Sequence, residues 1–189
     1  MKTRIGIFCD GNYMYNVIHY YNHSQSSNQI RVKLSYLREL PKEAINDLLS
    51  INQAEPNNIV YFIKPEFSDR KHILEVIDFE GNQNSPQNKL LIATCDSEME
   101  AAYEIMDQAL HQEFDAVFLV TNNDVYSPLV KLLRKKNIPV IVLNFLALNY
   151  HGLEGVSRSL INEEILFGIN KELCGEASGV ALLGPDMLE

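Results

Sequence analysis

The sequence predicts an α/β fold in which a mostly parallel sheet of about five strands is covered by helices on both faces. Short apolar runs alternate along the chain with longer segments whose apolar residues recur every three or four positions. Strands that alternate with helices form parallel sheets, and such sheets are buried on both sides. The 189 residues, 46% of them hydrophobic and 22% charged, suffice for one domain with a core. We therefore expect a single domain over residues 1–175, followed by a C-terminal tail at residues 176–189.

Each predicted element follows from a local pattern. Short apolar runs predict strands, and apolar residues at helical spacing predict helices. The strands are expected at residues 3–9, 59–63, 89–94, 115–121 and 138–145, and the helices at residues 13–22, 34–50, 68–78, 97–111, 125–136 and 157–172. Ser97 and Glu100 form a capping-box pattern at the start of one helix, and Asn137 is expected to end another in the left-handed conformation.

The negative charge of the chain is concentrated in one stretch. The 16 Lys and Arg residues against 25 Asp and Glu residues give a net charge of −9. Between Leu90 and Val130 there is no Lys or Arg and there are eight acids, so this stretch carries −8 of the total. A net-acidic chain argues against nucleic-acid binding through overall charge. A local acidic cluster whose charge is offset by a divalent cation remains compatible with such binding.

Cysteine content and hydropathy predict the compartment. Three cysteines are too few, and odd in number, for a disulfide framework. No apolar run approaches the ~20 residues of a membrane span, and the N-terminal residues lack the pattern of a signal peptide. We expect a cytoplasmic protein without membrane association.

Acidic and amide side chains follow three of the predicted strands. They are Asp10 and Asn12 after the first strand, Asp96 and Glu98 after the third, and Thr121, Asn122, Asn123 and Asp124 after the fourth. Sites of open parallel sheets lie beyond the carboxyl ends of the strands, so these groups would converge if their strands are neighbours. Oxygen ligands of this kind suit Mg²⁺ or Mn²⁺, and a bound ion would activate water for phosphodiester hydrolysis. The structural alternative is that each residue caps the helix that follows it.

Helical geometry separates the acids of the helix at residues 97–111. Glu98 lies on the apolar stripe of this helix and should face the sheet. Three other acids share a stripe that is expected to face solvent, namely Glu100, Glu104 and Asp107. Asp10 and Glu98 are therefore the better candidates for a site, whereas Asp96 fits either a ligand or a cap.

Two segments resemble the NYN domain family, a group of PIN-like nucleases that includes LabA-like bacterial proteins. Residues 5–16 (IGIFCDGNYMYN) are similar to the opening strand of the family, with its Asp-Gly and nearby Asn. Residues 114–143 (FDAVFLVTNNDVYSPLVKLLRKKNIPVIVL) are similar to a second signature, in which a strand precedes Ser-Gly-Asp-x-Asp-Phe and then Pro-Leu-Val. Residues 96–106 (DSEMEAAYEIM) lie where the family has an acidic helix start. The resemblance covers about residues 3–170 and implies a Rossmann-like three-layer sandwich of the PIN-like type.

The match to the second signature is incomplete. When the segments are aligned on Pro128-Leu129-Val130, the two Asp positions of the family fall on Asn123 and Val125, and Tyr126 stands at its Phe. Asp124 falls on the variable position between the two. The site is therefore one carboxylate short of the family pattern.

The resemblance implies a metal-dependent ribonuclease that hydrolyses RNA phosphodiester bonds. Asp10, Glu98 and Asp124 would be the catalytic residues. Asp10, Glu98 and Asn123 would bind Mg²⁺ or Mn²⁺. The alternative is a catalytically weakened or inactive NYN domain that serves as an RNA-binding or protein-interaction module, so whether the chain is an enzyme stays open.

The candidate contacts to RNA are Asn12, Lys131 and Arg134. Lys131 and Arg134 belong to a basic cluster that would hold a phosphate backbone beside the acidic site. The alternative is that these cations complement the dipole at the end of their helix. Four tyrosines are candidates for stacking on bases, namely Tyr13, Tyr15, Tyr20 and Tyr21. A homodimer formed through an edge strand or the tail is also left open.

Overall fold

A computed structural model describes residues 4–14, 16–17, 32–33, 57–65, 77–78, 90–95, 97–111, 114–145 and 169–183. The first elements in chain order are β1 (Arg4–Asp10), α1 (residues 11–14 and 16–17), β2 (Val32–Lys33), β3 (Asn57–Pro65), β4 (Ile77–Asp78), β5 (Leu90–Cys95) and α2 (Glu98–His111). They are followed by β6 (Ala116–Val120), a 3₁₀ helix (Asp124–Tyr126), α3 (Ser127–Lys135), β7 (Val140–Phe145), α4 (Lys171–Glu176) and β8 (Gly179–Leu183).

Six of these strands form one sheet in the order β5-β3-β1-β6-β7-β8, and every neighbouring pair is parallel. β1 lies in the middle, where Asp10 is paired with Ile63 of β3 and Cys9 with Val120 of β6. The strands β2 and β4 form a separate two-stranded parallel sheet. All strands of the main sheet end on the same side, which we call the carboxyl edge.

The sheet is covered on both faces around its central strands. Nearly every residue of β1 is buried, as is every residue of β6 and β7, which explains their uninterrupted apolar runs. On one face, α2, α3 and α4 pack on alternate residues of these strands and form one apolar cluster with them. On the other face, the rings of Tyr13 of α1 and Phe145 of β7 lie 6.2 Å apart. The arrangement is the predicted three-layer α/β fold.

Packing on β1 requires a residue without a side chain at Gly6. A Cβ at this position would lie 2.7 Å from the ring of Phe114 and 2.8 Å from the ring of Phe8. These two rings meet edge to face, with centroids 6.2 Å apart. Gly6 therefore lets two aromatic side chains close over the backbone of the central strand.

The helix ends predicted from local signals are confirmed. Ser97 Oγ accepts a hydrogen bond from the backbone N–H of Glu100 at 3.2 Å. Asn137 has a φ of 62°, and its N–H donates to the carbonyl oxygen of Arg134 at 3.0 Å. This is the left-handed C-terminal cap that the sequence indicated.

The strand count and two helix assignments differ from the sequence prediction. The sheet has six strands instead of about five, because residues 179–183 form β8, which pairs with β7 inside the segment set apart as a tail. Ile77 and Asp78, predicted at the end of a helix, form β4 because they pair with β2. The helix predicted at residues 157–172 does not continue to its predicted end, because residues 169–170 are not helical and Asn170 is the N-cap of α4, which begins at Lys171. The helices predicted at residues 34–50, 68–76 and 157–168 lie outside the described residues.

Within the described part of the chain, every helix is too short or too polar to cross a membrane.

Candidate functional site

Asp10 is the last residue of β1 and lies buried at the centre of the carboxyl edge. Its Oδ1 accepts hydrogen bonds from the backbone N–H groups of Asn12 at 3.0 Å and Tyr13 at 3.2 Å, which caps the start of α1. Its Oδ2 accepts a hydrogen bond from Thr121 Oγ1 at 2.9 Å. These three bonds fix the orientation of the carboxylate. Because a carboxylate offers about four acceptor positions, a cap and a ligand are compatible roles for this side chain.

The negative charge of Asp10 is poorly compensated. Burial raises the pKa of its carboxyl above the ordinary value and the charge of Glu98 adds to this, while the hydrogen bonds from Thr121, Tyr13 and Asn12 act in the opposite direction. Among the described residues, neither Asp10 nor Glu98 forms an ion pair with a Lys, Arg or His. The site therefore favours uptake of a proton or of a cation.

Glu98 is the first residue of α2, and its charge acts on the Asp10 carboxyl. It is half-buried, and the three residues on its stripe of the helix, Ala102, Ile105 and Ala109, are buried as predicted. The strands before Asp10 and Glu98 are not neighbours, since β3 lies between β1 and β5. The packing of α2 on the sheet, rather than strand adjacency, brings the charge of Glu98 within electrostatic reach of Asp10.

The other acids of α2 have separate roles. Glu100 is exposed, and Glu104 Oε1 accepts a hydrogen bond from Gln108 Nε2 at 2.9 Å. Asp107 Oδ1 lies 2.9 Å from His111 Nδ1 one turn further along the helix. Their stripe is distinct from that of Glu98, as predicted.

The residues after β6 connect to Asp10 through Thr121. Thr121 Oγ1 donates to Asp10 and accepts a hydrogen bond from the backbone N–H of Asn123 at 3.1 Å. Asn123 Oδ1 in turn accepts from the N–H of Val125 at 3.1 Å and caps the 3₁₀ helix. The amide oxygen of Asn123 thus already has a donor, and Val125 packs against the apolar cluster. Asp124 is exposed at the start of the 3₁₀ helix.

The structure joins some of the predicted site residues more closely than others. Hydrogen bonds and electrostatics connect Asp10, Glu98 and, through Thr121, Asn123. No group of three His, Cys, Asp or Glu residues that would hold a metal ion occurs among the described residues. Asp96, the residue that fits a ligand or a cap, lies outside them.

Tyr126 belongs to this site, although the sequence marked it only as the counterpart of a Phe. Its side chain is buried, and its ring is part of the apolar cluster beneath α2 and α3. Burial raises the pKa of the phenol, and the charges of Asp10 and Glu98 raise it further. The sign in the sequence was a Tyr, which carries a hydroxyl, at a position where the family signature has Phe.

A cluster of three amides extends the carboxyl edge toward α4, and the sequence did not point to two of them. The Asn144 amide lies 3.1 Å from Asn122 Oδ1 and 2.7 Å from the carbonyl oxygen of Thr121. Asn170 donates from its backbone N–H to Asn122 Oδ1 and from its side chain to the Asn122 carbonyl oxygen, both at 3.3 Å. Asn170 Oδ1 also caps α4. These contacts fix the backbone on which Thr121 and Asn123 are held.

The candidate RNA contacts lie in two places. The backbone N–H of Asn12 donates to Asp10, so this half-buried residue is at the site itself. Lys131 Nζ lies 3.6 Å from Glu176 Oε1, and Arg134 Nη1 donates to the Glu176 carbonyl oxygen at 2.6 Å. Arg134 is also about 10 Å along the helix axis from the start of α3. The basic cluster is therefore coupled to α4 and set back from Asp10.

Stacking on bases does not fit Tyr13. Its ring is buried, and its hydroxyl accepts a hydrogen bond from the backbone N–H of Phe145 at 2.9 Å. The candidates Tyr15, Tyr20 and Tyr21 lie outside the described residues.

Comparisons with known proteins agree with this architecture. A model of the NYN domain family matches residues 4–165. The chain is also similar to the crystal structure of a protein of unknown function from Vibrio parahaemolyticus RIMD 2210633, with a TM-score of 0.52 and 17% sequence identity over 100% of this chain and 97% of that chain. This likeness shows a shared fold. No curated protein sequence matches the chain.

Proposed function

The chain belongs to the NYN domain family of nuclease-like domains, and we propose that it acts as a metal-dependent ribonuclease that hydrolyses RNA phosphodiester bonds. The family acts on RNA and generally uses divalent metal ions. The observation that carries the proposal for this chain is the pair Asp10 and Glu98. Both carboxylates lie at the carboxyl edge, and neither is paired with a cation among the described residues.

This pair fits Mg²⁺ or Mn²⁺ without a third carboxylate. Mg²⁺ usually keeps several waters and is bound by one or two carboxylates together with substrate phosphates. Asp10 and Glu98 would hold the ion, and Asn123 would complete the site with the second lone pair of its amide oxygen. The bound ion supplies Lewis-acid stabilisation of phosphoryl oxygens and a more acidic water.

The chain's own residues would orient the reaction. Thr121 holds the Asp10 carboxylate at 2.9 Å and so keeps its remaining lone pair in one direction. Asp124, exposed beside the site, is the proposed group that accepts a proton from water. Asn12, Lys131 and Arg134 are the proposed contacts to the RNA backbone.

A second candidate function is supported by the residues at the two Asp positions of the family signature. The Asn123 amide oxygen is engaged in a cap, and Val125 packs against the core. Both observations favour a domain that has kept the fold and lost catalytic strength, and that serves as an RNA-binding or protein-interaction module.

The setting we propose is the cytoplasm. All three cysteines are free, and Cys9 and Cys95 are buried. Burial raises the pKa of the Cys9 thiol, which keeps it protonated and unreactive. Free buried thiols are typical of a reducing compartment.

The decisive experiment measures cleavage of a fluorescent single-stranded RNA with Mg²⁺ or Mn²⁺. We expect cleavage by the wild type, loss of about a hundredfold in Asp10→Asn and Glu98→Gln, and no cleavage in EDTA. Glu100→Gln is the matched control, because Glu100 is an exposed acid on another stripe of the same helix.

Two outcomes contradict the ribonuclease proposal. One is an inactive wild type, and the other is equal cleavage by the wild type and Asp10→Asn. RNA binding without cleavage would instead support the second candidate function.

A further inference from the structure

One face of α2 carries large apolar side chains that are open to solvent. Met99 is 65% exposed, Tyr103 61% and Leu110 42%, and Met106 on the same face is half-buried against the apolar cluster. Six large hydrophobic side chains are exposed in the described part of the chain, and three of them lie on this face. Scattered apolar residues are ordinary at a protein surface, whereas a group of this kind indicates an interaction surface.

The spacing of these residues is that of a coiled-coil contact. Met99, Tyr103, Met106 and Leu110 follow one another at intervals of four, three and four residues, which are the d and a positions of consecutive heptads. We call these four residues the outer seam of α2. They extend over about 16 Å of the helix axis. The residues that α2 buries against the sheet, such as Ile105, form a separate stripe, so the outer seam is spaced to pack on a further helix.

The flank of the outer seam that faces solvent is acidic. Glu100 and Asp107 occupy the e positions beside the seam, and Glu104 follows on the same side of the helix. Glu100 is exposed, and the other two acids are half-buried. The helix has no Lys or Arg to offset these charges. Because charges at e and g positions select the partner of a coiled coil, this flank favours a helix that carries positive charge.

A second copy of α2 does not satisfy these positions. Antiparallel pairing would place the acidic e positions of the two copies opposite each other, and like charges in such contacts are unfavourable. Parallel pairing would place each e position beside a g position of the other copy. The g positions are Ala102 and Ala109, which are buried against the core. The charge and burial of α2 therefore favour a different helix as the partner.

We propose that the outer seam of α2 binds a basic amphipathic helix of a partner protein. The apolar residues of that helix would pack on Met99, Tyr103 and Leu110, and its Lys or Arg residues would face Glu100 and Asp107. This contact buries apolar side chains that the chain leaves in water and pairs the acids beside them. The inference does not depend on ribonuclease activity.

The test uses a synthetic helical peptide as the probe. A fluorescent peptide of about three heptads carries Leu at its a and d positions and Lys at its e and g positions. A matched peptide carries Glu in place of Lys. Fluorescence anisotropy measures the binding of each peptide to the full chain. We expect the wild type to bind the Lys peptide and to bind the Glu peptide at least tenfold more weakly.

Variants of the chain separate the apolar contribution from the charge. The double variant Met99→Ser/Tyr103→Ser should bind the Lys peptide about tenfold more weakly. The double variant Glu100→Gln/Asp107→Asn should lose about fivefold at low salt and less at high salt. Ile169→Ser is the matched control, because this side chain is 59% exposed and lies outside α2, and its binding should not change. All of these positions are at the surface, so the melting temperatures should stay the same.

Three outcomes would overturn the inference. The first is a wild type that does not bind the Lys peptide, or binds the Glu peptide equally well. The second is equal binding by the wild type and Met99→Ser/Tyr103→Ser, because the peptide would then attach elsewhere through charge alone. The third is a dimer of the wild type, detected by light scattering, that is lost in Met99→Ser/Tyr103→Ser, because a second copy would then cover the outer seam.

Discussion

The carboxyl edge and the outer part of α3 handle charge in opposite ways. At the carboxyl edge, the charge of Glu98 acts on Asp10, and neither has a paired cation among the described residues. On α3, Lys131 and Arg134 both contact Glu176, one through its carboxylate and one through its backbone carbonyl oxygen. Lys131 and Arg134 thus have acceptors of negative charge or polarity within the chain, whereas Asp10 and Glu98 have no cationic partner among the described residues.

This difference teaches where a ligand is needed. Lys131 and Arg134 contact the C-terminal end of α4, where positive charge complements the helix dipole. Such exposed contacts add little to stability beyond packing. A buried carboxylate beside another carboxylate is unfavourable unless a proton or a metal ion joins it. The negative charge between Leu90 and Val130 therefore matters most at Glu98, which has no paired cation in the described part of the chain, and less as a total.

The largest expected effect is on stability, and it comes from comparing two substitutions of Asp10: one removes its hydrogen bonds, and the other removes only its charge. Asp10→Ala removes a helix cap and leaves the Thr121 hydroxyl without its acceptor, which should lower the free energy of unfolding by about 3 kcal/mol. Asp10→Asn keeps an acceptor oxygen and removes the charge, so its stability without metal should equal or exceed that of the wild type. Urea unfolding in EDTA at pH 7 measures both. Equal losses in the two variants would show that the charge of Asp10 carries no cost.

The second prediction concerns pH and metal. Because the pKa of folded Asp10 lies above its ordinary value of 3.8, its contribution to stability is greatest below that pH and is lost as the pH rises toward the folded pKa. A divalent ion should reverse this loss, so Mn²⁺ should raise the melting temperature more at pH 7.5 than at pH 5. Mn²⁺ at about 100 times its Kd contributes about 2.7 kcal/mol.

The matching control is Asp10→Asn, which should show neither the pH-dependent loss nor the stabilisation by metal. If Mn²⁺ raised the melting temperature of Asp10→Asn as much as that of the wild type, the ion would bind elsewhere. If Mn²⁺ raised the melting temperature of the wild type equally at pH 5 and pH 7.5, metal binding would not depend on the titration of Asp10.

The third prediction tests a neutral group near the same edge. Ser127 Oγ, at the start of α3, is buried and has no hydrogen-bond partner among the residues that the structure describes. Ser127→Ala removes this unsatisfied group and should raise the free energy of unfolding by about 1 kcal/mol, as thermal unfolding would show. RNA binding should not change. A loss of RNA affinity would instead show that Ser127 binds RNA, and the candidate site would then extend beyond Asp10 and Glu98.

The smallest expected effect lies on the basic side of the comparison. Glu176→Gln breaks an exposed ion pair and should cost about 0.5 kcal/mol of stability. It also frees Lys131, so RNA affinity at low salt should rise about twofold, and the gain should fade as salt increases. Binding measured at several salt concentrations checks this. Unchanged affinity would mean that Lys131 and Arg134 serve packing rather than RNA.

Local signals in the sequence predicted much of the fold. The left-handed Asn137, the cap at Ser97 and the buried apolar stripe of α2 all depend on spacing within a few turns of helix, and the structure confirms them. The buried strands followed from uninterrupted apolar runs. Such features depend on neighbours in sequence, which a single chain displays.

Features that depend on distant pairing were not predictable in the same way. β8 is a short apolar edge strand, and only its pairing with β7 distinguishes it from a tail. The separation of β1 from β5 by β3 is equally absent from any local pattern. At the site, the capping role of Asn123 and the link through Thr121 depend on backbone directions after β6.

The position of β1 also has a consequence for folding kinetics. This strand precedes the others in the chain but lies in the middle of the sheet, between β3, which begins at Asn57, and β6, which begins at Ala116. Its neighbours in the sheet are therefore far from it in sequence, and pairing over such separations gives a high contact order, which slows folding. During synthesis, Asp10 would be available long before Thr121, so its final hydrogen bond forms only after more than half of the chain has been made.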